Sequence, residues 1–365
     1  MAITIYDIAR EANVGIGTVS RVFNGHPNVT KATREKVLAV AKRLNYQPHV
    51  YAQGLARQRT NTFAAIIPFF TNYFFIEVLQ GVQEKISSIG FDLILHGINH
   101  PDEIDESLRR SSRRGRVDGI LFFSMRLPDT FAKKWKDLEL PIVLVDTFHE
   151  AFDSITVENF QGAQTATEHL ISLGHKNIGM ITANIKSDPA SIRLEGFRAA
   201  LKKHNMEVNE KNIIVSDVTK LDGFSRDAGY LAMKEMLKLG PQLPSAIFIS
   251  SDVQAIGAIS ALREKGLRVP DDVAIVSFDD IELAQHFGLT TMRQPMHRMG
   301  ELAVDQMLKR KENPSALPVQ MRFMPELVVR QSCGAKKISP HIEDYVHYTA
   351  PQDERTGNEN TLSTR

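Results

Sequence analysis

One cysteine, Cys333, stands in 365 residues. It cannot close an internal disulfide, which fits a reducing, cytoplasmic setting. No stretch approaches the roughly 20 consecutive apolar residues of a membrane-spanning helix. No apolar leader precedes the first folded motif either, so no membrane role is expected. Glycines are scattered as turn residues and form neither a phosphate loop nor a dinucleotide fingerprint. His96 and His100 have the spacing of a metal-ligand pair, but Pro101 follows at once and no third ligand stands nearby. A nucleophile with its base is missing as well. No metal, no cofactor and no enzymatic turnover are therefore expected. Net charge is also small, +1 over the whole chain. The chain is 42% hydrophobic, enough for two or three domains with cores of their own.

The near-zero net charge hides an asymmetry. Residues 1–60 hold nine Lys or Arg against three Asp or Glu, a net of +6. Residues 61–365 then carry 35 basic and 40 acidic side chains, a net of −5. A basic module on a mildly acidic body is an electrostatic footprint for phosphate. Within that module, Ile5, Ile8, Ala9 and Ala12 recur at helical spacing. Asn13-Val14-Gly15 makes a tight turn. A second helix from Ile16 to about Asn24 buries Val19, Val22 and Phe23 and offers Thr18, Ser20 and Arg21 on its other face. This is the helix-turn-helix pattern, in which the second helix lies in the DNA major groove. Thr30 caps a third helix with Val37, Val40 and Leu44 as its apolar stripe, and Pro48 stops it. Val50 to Arg57 spans about two helical turns, contains Gly54, and is marginally helical alone. Leu55, apolar beside Arg57 and Arg59, suits a wedge pushed into a minor groove. The alternative is a linker residue packed on the next domain.

Beyond residue 60, short β-rich runs alternate with helical ones. Strands are expected at Thr62–Pro68, Phe91–His96, Gly119–Phe123, Ile142–Val145, Ile178–Ile181, Ala246–Ile249 and Val273–Phe278. Helices are expected from about Phe75 to Ile89 and up to about Arg114. The alternation implies parallel sheets with helices on both faces, and in such sheets ligands bind outside the carboxyl ends of the strands. Candidate ligand groups gather there. Pro68 to Phe75 is rich in aromatic rings, which suit the C–H face of a sugar or the face of a base. Arg193 can fork onto two vicinal hydroxyls or a carboxylate. Asp279 is the best single acceptor for ligand hydroxyls, and Asp146 ends another strand. Asp280 reads as structural or a helix-end group, and Asp252 as the cap of the helix that follows it. The competing readings are core packing for either ring and a surface ion pair for Arg193. After Cys333 the chain turns polar and lacks the leucine heptad of a tetramerising helix. Residues 334–365 read as a mostly disordered tail and a dimer as the functional unit.

The motifs occur in order. They are Thr4 to Ala9, Thr18-Val19-Ser20-Arg21-Val22, Asn28-Val29-Thr30, Thr33-Arg34-Glu35-Lys36-Val37, Leu44-Asn45-Tyr46-Gln47-Pro48 and Ala52-Gln53-Gly54-Leu55. The chain closely resembles the lactose repressor/galactose repressor (LacI/GalR) family of bacterial transcription regulators, to about residue 333. The resemblance implies a small all-α helix-turn-helix head (1–48), a hinge helix or linker (49–60) and a two-lobed α/β effector domain (61–333) similar to periplasmic sugar-binding proteins. Lobe 1 is then about 61–160 and 291–322, lobe 2 about 161–290 and 323–333, with crossovers near residues 160, 290 and 322. Family positions that meet DNA are Thr4, Tyr6, Ile16, Gly17, Thr18, Ser20, Arg21, Asn28, Thr33, Ala52 and Leu55. Those that face the effector are Phe74, Phe75, Asp146, Arg193, Phe224, Ser251 and Asp279.

Some positions depart from the family pattern. Gly15 stands where many relatives have serine, and Ser251 where asparagine is frequent. Ile16-Gly17 presents no hydrogen-bonding side chain, so base discrimination there rests on apolar contact or shape. The purine-binding relative stacks a tryptophan where Thr147 stands. The expected protein is a homodimeric repressor that reads near-palindromic double-stranded operator DNA. A small-molecule effector switches it, a carbohydrate ahead of a purine. A solute sensor without DNA function and an α/β enzyme with a regulatory head are the alternatives.

Overall fold

The computed structural model of the chain describes residues 3–46, 60–68, 72–98, 102–113, 115–127, 129–136, 140–216 and 223–335. Pro48, Ala52, Leu55 and the tail beyond residue 335 lie outside the described residues. The chain opens with α1 (Ile5–Glu11), α2 (Ile16–Phe23) and α3 (Lys31–Arg43). Thr30 caps α3, its hydroxyl accepting from the Thr33 N–H. The three helices stop in the same way. Asn13, Gly25 and Asn45 take φ of 49°, 70° and 49°. The N–H groups of Val14, His26 and Tyr46 then reach back to the carbonyls of Ala9, Arg21 and Ala41. Glycine and asparagine enter this left-handed conformation at low cost, so they close helix ends. Asn45 therefore ends α3 ahead of Pro48, to which the sequence assigned the stop. Ile8, Ala9, Ala12, Val19, Val22, Val37 and Ala41 close a small core of their own, with Phe23, Val40 and Leu44 half-buried on it.

The rest of the described chain builds two six-stranded sheets. The first holds β1 (Thr62–Pro68), β2 (Asp92–Ile98), β3 (Gly119–Phe123), β4 (Ile142–Val145), β5 (Asp153–Val157) and β11 (Gln320–Phe323), in the order β11-β5-β4-β3-β1-β2. The second holds β6 (Ile178–Thr182), β7 (Ile213–Val215), β8 (Ala246–Ile249), β9 (Ala274–Asp279), β10 (Thr290–Arg293) and β12 (Glu326–Val328), in the order β12-β10-β9-β8-β6-β7. The described pairings are parallel except that of β12 on β10. Central strands such as β3, β4 and β8 are buried throughout, because helices cover both faces of a parallel sheet. Each sheet reverses its winding at one point, between β1 and β3 in the first and between β6 and β8 in the second.

The helices of this part are α4 (Tyr73–Ser88), α5 (Glu103–Ser111), α6 (Asp129–Lys136), α7 (Asn159–Ser172), α8 (Asp188–Lys203), α9 (Arg226–Met236), α10 (Asp252–Glu264), α11 (Glu282–His286) and α12 (Met296–Glu312). The chain passes between the sheets after β5, after β10 and after β11. The middle crossing was expected near residue 290, but β10 stays in the second sheet by pairing Thr290 to Arg293 with β9. The described helices include none long and apolar enough to cross a membrane.

Candidate functional site

The carboxyl ends of β3, β4, β8 and β9 face a cleft between the two lobes. It encloses about 570 Å³, its open mouth included. Phe74, Phe75, Asp146, Arg193, Phe224, Ser251 and Asp279 all line it. The first two rings enter on the first turn of α4, which Asn72 starts by accepting the Phe74 N–H on its side-chain oxygen. They meet edge to face at 5.3 Å between centroids. Both also belong to the buried core, so these rings line the cleft and pack the core at once.

Arg193 is only 3% exposed and is not a surface ion pair. From α8 its Nε donates to Asn159 Oδ1 at 2.8 Å and its Nη1 to the Ser250 carbonyl at 2.5 Å. Asp279 Oδ1 lies 3.5 Å from Nη1, and the guanidinium stacks 3.7 Å above the Phe278 ring centre. Gln294 holds the same Asp279 oxygen at 2.6 Å. A guanidinium fixed on this many sides is preorganised, so little freedom is lost when a ligand adds to it. Burial, together with the carboxylates of Asp252 and Asp146, pushes the Asp279 carboxyl well above its ordinary range, against the pull of Arg193. Asp146, which accepts from Ser124 Oγ at 2.6 Å, is pushed up to about 6 by burial, against that hydrogen bond and Arg193.

The backbone carries strain at the same place. Ser124, Asp146, Asp279 and Asp280 have φ of 47°, 55°, 119° and 60°. Non-glycine residues rarely adopt such angles, at a cost of about 1–3 kcal/mol each. The strain sits where three strands end at the cleft, and Ser124, Asp146 and Asp279 line it.

Several residues have other parts than the sequence suggested. Ser251, not Asp252, caps α10, its hydroxyl accepting from the Gln254 N–H. Asp252 is fully buried and accepts from Ser277, Thr291 and the Ile281 N–H. It thereby ties α10 to β9 and β10. Asp280 is structural as expected, bonded to Arg293 and Arg330. Ser124, Ser187, Asn159 and Gln294 escaped the sequence reading. Asn159 and Gln294 stand at two of the crossovers, and that position is the signal that could have found them. Two contacts join the lobes beside the cleft. Arg126 Nε lies 3.5 Å from Asp188 Oδ1, and Glu77 accepts the Glu282 N–H at 3.1 Å.

In the head, Tyr6, Ile16, Gly17, Arg21 and Asn28 are exposed, whereas Thr18, Ser20 and Thr33 are half-buried. Two of the threonines are occupied in helix starts. Thr4 Oγ1 donates to Asp7 at 2.7 Å, and the Thr33 and Thr30 hydroxyls bond each other at 2.8 Å. Arg34 fastens the segment after α2 by donating to the carbonyls of Val22 and His26.

The profile of the lacI family of bacterial regulatory proteins matches residues 4–49, and that of the periplasmic binding protein-like domain matches residues 167–333. The HTH-type transcriptional repressor PurR of Histophilus somni (strain 129Pt) is 34% identical over 342 residues, 90% of this chain and 98% of that protein. The chain belongs to the LacI family. Two solved structures agree. A complex of the transcriptional regulator CelR with cellobiose has 30% identity and a TM-score of 0.67, over 90% of this chain and 99% of that one. The Lac repressor dimer bound to operator and the anti-inducer ONPF has 25% identity and a TM-score of 0.79, over 91% and 99%. As a LacI-family transcriptional repressor, the protein joins a DNA-binding helix-turn-helix head to a two-lobed, periplasmic-binding-like effector domain.

Proposed function

We propose that the cleft binds an uncharged, hydroxyl-rich effector, a sugar or close derivative, and that occupancy of the cleft sets the operator affinity of a homodimer. The observation that carries this reading is the state of Arg193. Its guanidinium is already engaged by Asn159, the Ser250 carbonyl and Asp279. It is therefore a poor fork for a phosphate, which needs free cationic donors. The polar lining is otherwise rich in acceptors, with Asp146, Asp279 and the hydroxyls of Ser124 and Ser251, and suits a ligand that brings its own O–H donors. Phe74, Phe75 and Phe224 supply the flat apolar walls. The likeness to PurR favours a purine as the second reading. Against it, Thr147 is buried with its hydroxyl turned to the Met125 carbonyl and offers no flat ring.

In this reading residues 1–48 are the reading head, 49–60 the hinge and 61–333 the effector domain. Ile16, Gly17, Thr18, Ser20 and Arg21 of α2 face the major groove, with Tyr6 and Asn28 beside them. Thr4 and Thr33 act through the helix starts they hold, and Ala52 and Leu55 belong to the hinge. In this reading the effector is bound and released unchanged. A thermal-shift screen of the whole protein against neutral mono- and disaccharides, sugar phosphates and nucleobases tests the effector class. A neutral sugar should raise the melting temperature by mass action. A shift with nucleobases alone would overturn the sugar reading. Arg21→Ala should abolish operator selectivity at an unchanged effector-domain melting temperature, read by titration on operator and random duplexes.

A further inference from the structure

Arg110, Arg113 and Arg116 gather at the end of lobe 1 away from the cleft. α5 follows β2 and returns along the sheet, so its last turn lies at the amino ends of the strands. There Thr62 pairs with Asp92 and Phe63 with Gly119. This is also where the chain arrives from the head. The Asp118 carboxylate, two positions after Arg116, accepts from the Thr60 N–H at 2.8 Å, the Thr60 hydroxyl at 2.9 Å and the Asn61 N–H at 3.2 Å.

The positive charge here is not neutralised among the described residues. Arg110 and Arg113 are exposed and Arg116 half-buried. Asp105 is taken by Arg109 at 3.3 Å and Lys134 at 3.2 Å, and Asp118 by Lys311. Asp92 and Glu312 are the exposed carboxylates at this end. Even so, Arg116 and Arg110 add to burial in holding the neighbouring His96 imidazole below its ordinary range, so the local field is positive. The helix dipole gives a simpler account of part of this. α5 has Glu103, Asp105 and Glu106 in its first turn and Arg109 and Arg110 in its last, as the dipole favours. Arg113 and Arg116 lie beyond the helix end at Ser111, where the dipole gives no reason for them. They also stand on a body, residues 61–365, whose net charge is −5.

We propose that this arginine patch is a second DNA contact, gripping backbone phosphates of the duplex beside the operator while the head holds the operator itself. The inference rests on the repressor reading. The 13 residues 47–59 reach at most about 45 Å, at roughly 3.3–3.6 Å each, which keeps head-bound DNA near this end of lobe 1. Phosphate contacts of this kind are independent of sequence, add affinity and steepen the salt dependence.

The test uses the full chain and an operator selected by it from a random duplex library. Binding is titrated against salt on the minimal operator and on the same operator with long flanks. The parent is compared with the triple variant Arg110→Gln, Arg113→Gln, Arg116→Gln. On the flanked duplex the variant should bind at least about tenfold more weakly at low salt. Its log–log salt slope should be shallower by about 0.9 for each phosphate that an arginine no longer neutralises. On the minimal operator the two proteins should match. Equal binding by both proteins on both duplexes would overturn the proposal. So would an equal loss on both duplexes, which would place the patch in the hinge rather than on flanking DNA. Should the triple variant not fold, Arg113→Gln alone, at an exposed position, should still give the length-dependent change in slope. Failure of the parent to select any operator would break the repressor reading itself.

Discussion

At the scale of single residues, the cleft stores unfavourable charge. Asp146 sits at about 6 and the fully buried Asp252 also at about 6. Asp279 is raised in the same direction. All three shifts come first from burial, so the native state holds protons that the unfolded chain would release near pH 4. Stability should then fall as pH rises from about 4 to about 6, because the native state binds more protons across this window. Asp146→Asn should flatten part of this slope while leaving the Ser124 contact available. Urea midpoints measured from pH 4 to pH 7 for the parent and the variant decide it; identical slopes would mean that Asp146 is not held in its acid form. Arg193 poses the opposite case. Arg193→Ala leaves Asn159, the Ser250 carbonyl and Asp279 facing a void. It should cost about 3–5 kcal/mol of stability, as expected for breaking a buried charged pair. It should also cost at least about 1.5 kcal/mol of effector affinity. Denaturant unfolding and titration calorimetry read these two losses separately.

At the scale of elements, each lobe carries one helix pair locked by reciprocal glycines. In lobe 1, a Cβ on Gly81 would come within 2.0 Å of the His297 carbonyl oxygen, and one on Gly300 within 2.0 Å of that of Val78. α4 and α12 thus touch backbone to backbone. In lobe 2, Gly229 and Gly257 bring α9 and α10 together in the same way, against the carbonyls of Gln254 and Arg226. α4 carries Phe74 and Phe75 into the cleft, and α10 begins at Ser251. Gly81→Ala should therefore destabilise by about 1–3 kcal/mol through overpacking and weaken effector binding by tilting the rings. A melting temperature within error of the parent would show that the helices part without cost. None of this was legible in the sequence, where Gly81 and Gly300 stand far apart and the glycines read as scattered turn residues. The apolar central strands were legible, since β3, β4 and β8 are unbroken apolar runs and β1 is nearly so. β5, β7, β10, β11 and β12 were not. They have three to five residues each, and four of them mix polar with apolar positions, so no period emerges.

At the scale of the whole molecule, the strand ends pointed to the cleft, and Asp146, Asp279 and Arg193 could be named on chemistry and resemblance. The groups that hold them could not. Asn159 and Arg193 are separated by 34 positions, Arg193 and Asp279 by 86, and they meet only because the three crossovers converge. The same long-range closure links the cleft to the chain segment that leads from the head. α12 runs from the crossover at the cleft, locked against α4, and ends with Lys311 on the Asp118 carboxylate. Asp118 in turn clasps Thr60 and Asn61, where the segment from the head joins β1. Burial alone would raise this carboxyl, but the bonds from Lys311 and Thr60 hold it below its ordinary range, so it is charged in the native state. If a change in lobe angle moves the α4–α12 pair, these contacts give it a route to the segment that leads from the head. Asp118→Asn keeps the shape and removes the charge that fixes Lys311. Effector affinity, read by calorimetry, should stay within about twofold. The ratio of operator affinities with and without effector should shrink, within the roughly 1–3 kcal/mol typical of such coupling. An unchanged ratio at unchanged stability would show that the signal bypasses Asp118 and travels by the partner subunit or by another strand of the first sheet.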